Sequence, residues 1–128
     1  VLVAIPKSGG AARTIAKGFV RATALAADDT NAYVYTEKDG TLRKVELASG
    51  ATSVLATQLG NADDLVSEGE WLYTVSWPSK LVRIAKDGSR TDVLADDLKS
   101  PTHIALDPAF VYVVSRDQNK IVRLRKAR

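Results

Sequence analysis

The sequence predicts an all-β chain built from repeats, each repeat folding as four short antiparallel strands. Three observations lead there. The chain matches itself at offsets of 40, 39 and 40 residues. Each repeat is made of short runs rich in Val, Leu, Ile, Tyr and Thr, residue types that suit a pleated, half-buried surface. Turn residues separate the runs at hairpin-like intervals.

In chain order, the first run is LVAI from Leu2, which recurs as LRKV from Leu42, LVRI from Leu81 and IVRL from Ile121. Turns follow at Ser8-Gly9-Gly10, Lys38-Asp39-Gly40, Ser49-Gly50, Lys86-Asp87-Gly88 and Asp117-Gln118-Asn119. The next run is IAKGFVR from Ile15, matched by LATQLGN from Leu55 and LADDLKS from Leu94. After it comes ATALAADDTNAYVYT from Ala22, matched by ADDLVSEGEWLYTVS from Ala62 and PTHIALDPAFVYVVS from Pro101. Within these, Leu25, Leu65 and Ile104 align, as do Asp28, Glu68 and Asp107, and Tyr33, Tyr73 and Tyr112. The Ala-rich stretch from Ala22 to Asp29 could be mistaken for a helix. Its aligned copies carry Pro101 and a β-branched pattern, so it is read as strand. A one-residue deletion near Pro78 accounts for the short offset.

Four strands in about 40 residues, repeated, predict β-propeller blades: small twisted sheets, apolar on both faces, that must stack on neighbours. The repeated tyrosines are then packing residues. The whole chain is one repeat domain, residues 1–128, with repeats at about 2–41, 42–80 and 81–120 and a partial strand at 121–128.

IALDPAFVYVVSRDQNKIVRL (Ile104 to Leu124) resembles blades of the NHL-type and YWTD-type propellers, and LVAIPKSGGAARTIAKG from Leu2 is similar to the second half of Gly-rich bacterial propeller repeats. Tyr-Val-Tyr-Thr, Tyr-Thr-Val-Ser and Tyr-Val-Val-Ser stand where the second family has Tyr-Trp-Thr-Asp. The resemblance implies inner strands near 22–28, 62–68 and 101–107 and second strands near 32–36, 71–76 and 110–115. Third strands fall near 2–6, 41–47, 80–85 and 120–126, and outer strands near 12–16, 52–56 and 91–95. It also points to an extracytoplasmic or secreted setting. It fixes the fold more than the function, because such propellers include scaffolds, receptors, lectins and lyases.

Three repeats are too few for a ring, since propellers hold roughly four to eight blades. Either the chain is cut from a longer protein or copies associate. Two chains would give six blades, so a homodimer is expected. The four copies of the third strand leave one spare per chain.

Bulk properties narrow the function classes. Hydrophobic residues make up 45% and charged residues 26% of a 128-residue chain with net charge +3. No apolar run is long enough for a membrane helix, and the basic excess is too dilute for a typical nucleic-acid binder. Cys is absent, which removes disulfides and thiolate sites. Met is absent too, so the chain is read as processed or trimmed, a state compatible with earlier removal of an export signal.

Candidate site residues sit at the mouth of the expected axial channel. Asp63 and Asp64 break repeat symmetry, replacing Thr23-Ala24 and Thr102-His103. A fold does not demand such a break, which makes it a better functional signal than a repeated residue. Adjacent strand residues point to opposite faces, so the two carboxylates do not chelate together. Backbone bonding at a strand start is their duller explanation. His103 is the only histidine; it reads first as a solvated channel residue. Trp77, before Pro78, is a stacking candidate in a loop, or the cover of a blade edge. Arg21, Thr102 and Arg116 complete the mouth. The basic stretch of Lys120, Arg123, Arg125, Lys126 and Arg128 reads as an edge strand kept soluble by charge.

The expectation is therefore a non-enzymatic binding and assembly module that self-associates to close a ring. It would have no cofactor, no metal and no catalytic residue, and neither nucleic acid nor membrane as partner; a small molecule or protein is the expected ligand. A propeller lyase or hydrolase with a channel site is one alternative. A basic surface for nucleic acid or another anionic partner is the other.

Overall fold

The computed structural model describes residues 1–126; Arg128 of the basic stretch lies outside them. The described residues form strands β1 (Leu2–Ala4), β2 (Arg13–Ala16), β3 (Ala22–Ala27), β4 (Asn31–Thr36), β5 (Thr41–Glu46), β6 (Thr52–Ala56) and β7 (Leu65–Glu68). They continue with β8 (Trp71–Ser76), β9 (Lys80–Ala85), β10 (Thr91–Ala95), β11 (Pro101–Leu106), β12 (Phe110–Ser115) and β13 (Lys120–Arg125). Residues Ala22 to Ala27 are strand, as their aligned copies require. The strand ranges agree with expectation to within a residue or two except at β7, which starts at Leu65 instead of Ala62. There the side chain of Asp64 binds the Leu65 N–H, and only an isolated bridge from Asn61 to Trp77 continues the pairing.

All pairing is antiparallel between sequence neighbours. It gives sheets β3-β4-β5-β6 and β7-β8-β9-β10, a three-stranded sheet β11-β12-β13 and a hairpin β1-β2. β3 abuts β7, and β7 abuts β11, so the first strands line up along one side.

Each sheet is apolar on both faces, because alternate residues face opposite neighbours. Leu72, Val82 and Ile84 of the second sheet pack on Tyr33, Tyr35 and Leu42 of the first. Tyr73, Val75 and Leu81, from the intervening positions, pack on Ile104, Val111 and Val113 of the third. The hairpin β1-β2 closes the other face of the first sheet, with Leu2, Ile15 and Phe19 against Ala32, Val34 and Val45. Gly50, at φ +76°, turns the chain directly beneath β2; a Cβ there would collide with the Ile15 carbonyl oxygen.

Candidate functional site

The seven candidate residues lie at one end of the sheets, where first strands begin and second strands finish. One backbone bond recurs there in each sheet: Glu37 N–H to the Arg21 carbonyl at 2.9 Å, Trp77 N–H to Asn61 at 2.8 Å and Arg116 N–H to Ser100 at 3.2 Å. Arg21 has φ +57° and Ser100 φ +49°, left-handed conformations at which the chain turns into the first strand. Arg21 forms an exposed ion pair with Glu37 at 3.2 Å, an arrangement of small energetic worth. Arg116 pairs with neighbouring Asp117 at 3.4 Å. Trp77 is 51% exposed, and its ring is free to meet a partner. His103 and Asp63 are exposed and Thr102 is half-buried.

Asp64 is committed to the fold. One carboxylate oxygen accepts from Leu65 N–H at 2.9 Å. The other reaches the third sheet and accepts from Ile104 N–H at 2.9 Å. Thr23 makes the corresponding link one sheet earlier, donating its hydroxyl to the Ala62 carbonyl at 2.8 Å. The symmetry break at Asp64 therefore supplies both a strand-start bond and a strap between sheets.

Two further arrangements escaped the sequence reading. Asp28, in the turn after β3, accepts from the backbone N–H of Thr30 and Asn31 and from the Tyr33 hydroxyl. Lys86, 58 residues away at the end of β9, donates to the same carboxylate at 2.9 Å. Burial raises the carboxyl's pKa, but the Lys86 ammonium and the donated N–H and O–H bonds outweigh it and hold Asp28 well below the usual carboxylate range. Burial and the Asp28 carboxylate together push the Tyr33 phenol up. One sheet on, Lys126 pairs with Glu68. Asp107 has the same phenol and turn bonds, with Tyr112 at 2.5 Å and the Ala109 and Phe110 N–H groups, and its carboxyl is lowered chiefly by Tyr112. The signal was present as an aligned lysine, Lys86 with Lys126, beside the aligned acids.

The second arrangement is a stack at the other end of the strands. Arg83, 3% exposed, lies 3.8 Å over the Trp71 ring and donates Nη2 and Nε to Asp92 of β10 at 2.6 and 3.2 Å. Arg90 also donates to Asp92, at 2.8 Å. Among the described residues no group of three or more His, Cys, Asp and Glu side chains converges as a metal site would.

No family model matches the sequence, and no curated protein does. Solved structures do match in shape. A chain of a nidogen–laminin complex superposes with TM-score 0.81 at 16% identity, over 94% of this chain and 49% of that one. A protein of unknown function from Bacteroides thetaiotaomicron gives TM-score 0.67 at 15% identity, over 84% of this chain and 29% of that one. The PQQ-bound aldose sugar dehydrogenase of Streptomyces coelicolor gives 0.63 at 17% identity, over 88% of this chain and 47% of that one. The chain thus spans half or less of the length of these three structures.

The sheets are β-propeller blades. At the level of fold this agrees with the likeness to NHL-type and YWTD-type repeats. β3–β6 form the first blade and β7–β10 the second. β11–β13 are the first three strands of a third blade, and β1-β2 the last two strands of the blade before the first. Lys86 and Lys126 thus each tie a blade to the acid of the blade before it.

Both end surfaces are apolar. Beside the first blade, where inner strands of its preceding neighbour would stand, lies a hollow of about 300 Å³ lined by Val1, Leu2, Phe19, Leu25 and Val34. Leu25 is 57% exposed there, whereas its equivalents Leu65 and Ile104 are 5% and 8% exposed. On the far side of the third blade, Ile121 is 71% and Val114 38% exposed, while their equivalents Leu81 and Val75 are sealed at 0% and 1%.

Proposed function

We propose that the chain is a non-enzymatic binding and assembly module that completes a propeller ring with a second copy of itself. The carrying observation is the pair of uncovered end surfaces: Leu25 over its hollow and Val114 with Ile121 occupy positions that are sealed wherever a neighbouring blade is present. Contiguous exposed apolar surface of this kind marks association sites. The two surfaces differ, so contact between them is head-to-tail, and head-to-tail contacts make rings when the rotation closes. Six blades from two chains give a closed ring. The rim carrying Arg21, Asp63, Thr102, Trp77, His103 and Arg116 is then doubled around the axis, and exposed Trp77 is its strongest contact residue.

Light scattering on a sizing column, across a dilution series, tests this. The expected mass is twice 13.8 kDa, falling to one chain in I121K or L25D. A monomer at all concentrations, with both variants unchanged, rejects self-association.

A further inference from the structure

The first and second blades share four positions at the end of the strands away from the rim, and only the second blade fills them. There they are Trp71, Arg83, Arg90 and Asp92, the stack described above. Their repeat equivalents in the first blade are Asn31, Lys44, Ala51 and Ser53. The register is the same, with Lys44 opposite Ser53 as Arg83 is opposite Asp92. An indole, a guanidinium and a carboxylate are thus exchanged for an amide, a methyl group and a hydroxyl. The place they would fill is open. Two adjoining recesses, of about 140 and 490 Å³, share Asn31, Lys44 and Glu46 in their walls, and Ala51 and Ser53 line the smaller.

The recess carries one charge of each sign on its floor. Half-buried Lys44 donates to the Lys86 carbonyl at 3.3 Å. Among the described residues, the ion pairs include none to Lys44. Asp87, on the neighbouring turn, accepts from the N–H and the hydroxyl of Ser89; its carboxyl is lowered first by that hydroxyl and last by the Lys44 charge. Glu46 stands two residues beyond Lys44 on the same face of β5, opposite Asn31, where the second blade has Ala85. It is exposed and accepts from the Ser49 hydroxyl at 3.1 Å. The cationic and anionic positions are therefore roughly 6–7 Å apart along the strand. A solvated lysine explains Lys44 by itself. It does not explain the loss, at one place, of the three groups that close the site one blade on, nor the acid gained beside it.

We propose that this recess binds a small zwitterion of the amino-acid type, its carboxylate on Lys44 in the position of Asp92 and its ammonium or guanidinium group on Glu46. Charge-assisted bonds at both ends fix the orientation, and the space is of the size that small-molecule sites have. A dicarboxylate would meet Glu46 and a diamine would meet Lys44, so the recognised pattern is one charge of each sign. The site lies at the opposite end of the strands from Trp77 and Asp63 and belongs to a single chain. It stands whether or not copies associate.

The probe is free L-arginine, titrated into the isotope-labelled intact chain and followed by amide chemical shifts. Saturable shifts are expected at Lys44, Glu46 and Ser53 at millimolar concentration. Agmatine, which is arginine without its carboxylate, and acetate, which has no cation, should each bind at least about tenfold more weakly, the loss of one charge-assisted pair. S53D places the second blade's carboxylate opposite Lys44. It should weaken arginine about tenfold with the melting temperature unchanged or raised, so that lost binding is not lost folding. Three outcomes overturn the proposal: no saturable shift with arginine at millimolar concentration, agmatine binding as tightly as arginine, or folded S53D binding arginine as well as the wild type.

Discussion

At Asp28 a single carboxylate accepts two backbone N–H groups, a phenol and the ammonium of the next blade. Its folded pKa is lowered, so its contribution is complete above the ordinary carboxylate pKa of about 4 and is lost as pH falls below that toward the folded value. Thermal melts from pH 7 to pH 2 should show wild type losing stability below about pH 4. D28N should be less stable at pH 7 and lose less on acidification. At pH 7 the loss should be on the order of 2 kcal/mol, because Lys86 is left with an unpaired, mostly buried ammonium. Tyr35 gives the opposite expectation. Its hydroxyl is buried without a hydrogen-bond partner, so Y35F should be neutral or stabilising by up to about 1 kcal/mol in denaturant titration. Little of this could be read from sequence. The tyrosine column was recognised as packing, but its hydroxyl bond needs a turn that aims Asp28 back at the ring. Asp64 stood out because it breaks the repeat, yet only the position of the next blade reveals that the carboxylate is spent on Ile104 N–H.

At the scale of elements, the strands were legible because the signal was repeated. Alternation that is ambiguous in one copy becomes readable in three, and the Ala-rich Ala22–Ala27 was settled by what stands at the aligned positions. The late start of β7 was not legible, since it depends on a side chain competing for a strand N–H. The hairpin β1-β2 makes a further prediction. It is held by Leu2, Ile15 and Phe19 and by close backbone approach at Gly50. G50A places a Cβ against the Ile15 carbonyl in a left-handed conformation, and should cost about 1–3 kcal/mol. The cost should fall on the hairpin first: amide exchange at Val3, Ile15 and Ala16 should quicken while Leu72 and Val82, in the blade interior, stay protected.

For the whole molecule, blades contact only their sequence neighbours, so stability is close to a sum of blade terms and interface terms. D64A removes a strap between the second and third blades and leaves the first pair untouched. It should lower the protection of Val113 more than that of Tyr35, read by the same exchange experiment. The four-stranded blade was legible from the repeat; which surfaces lie open was not, because exposure belongs to the assembled stack and not to any residue. The lysine-to-acid clasp carries a consequence of another kind. The second blade brings Lys86 for the acid of the blade behind it and Glu68 for the lysine of the blade ahead, whereas the first blade carries Leu47 at the lysine position, so the second blade is the unit that can be repeated with its fastening intact. A tandem duplication of residues 57–95 would insert a blade with its Glu68 and Lys86 already matched to their new neighbours. Such a gene can lengthen or shorten by whole units without redesigning a junction.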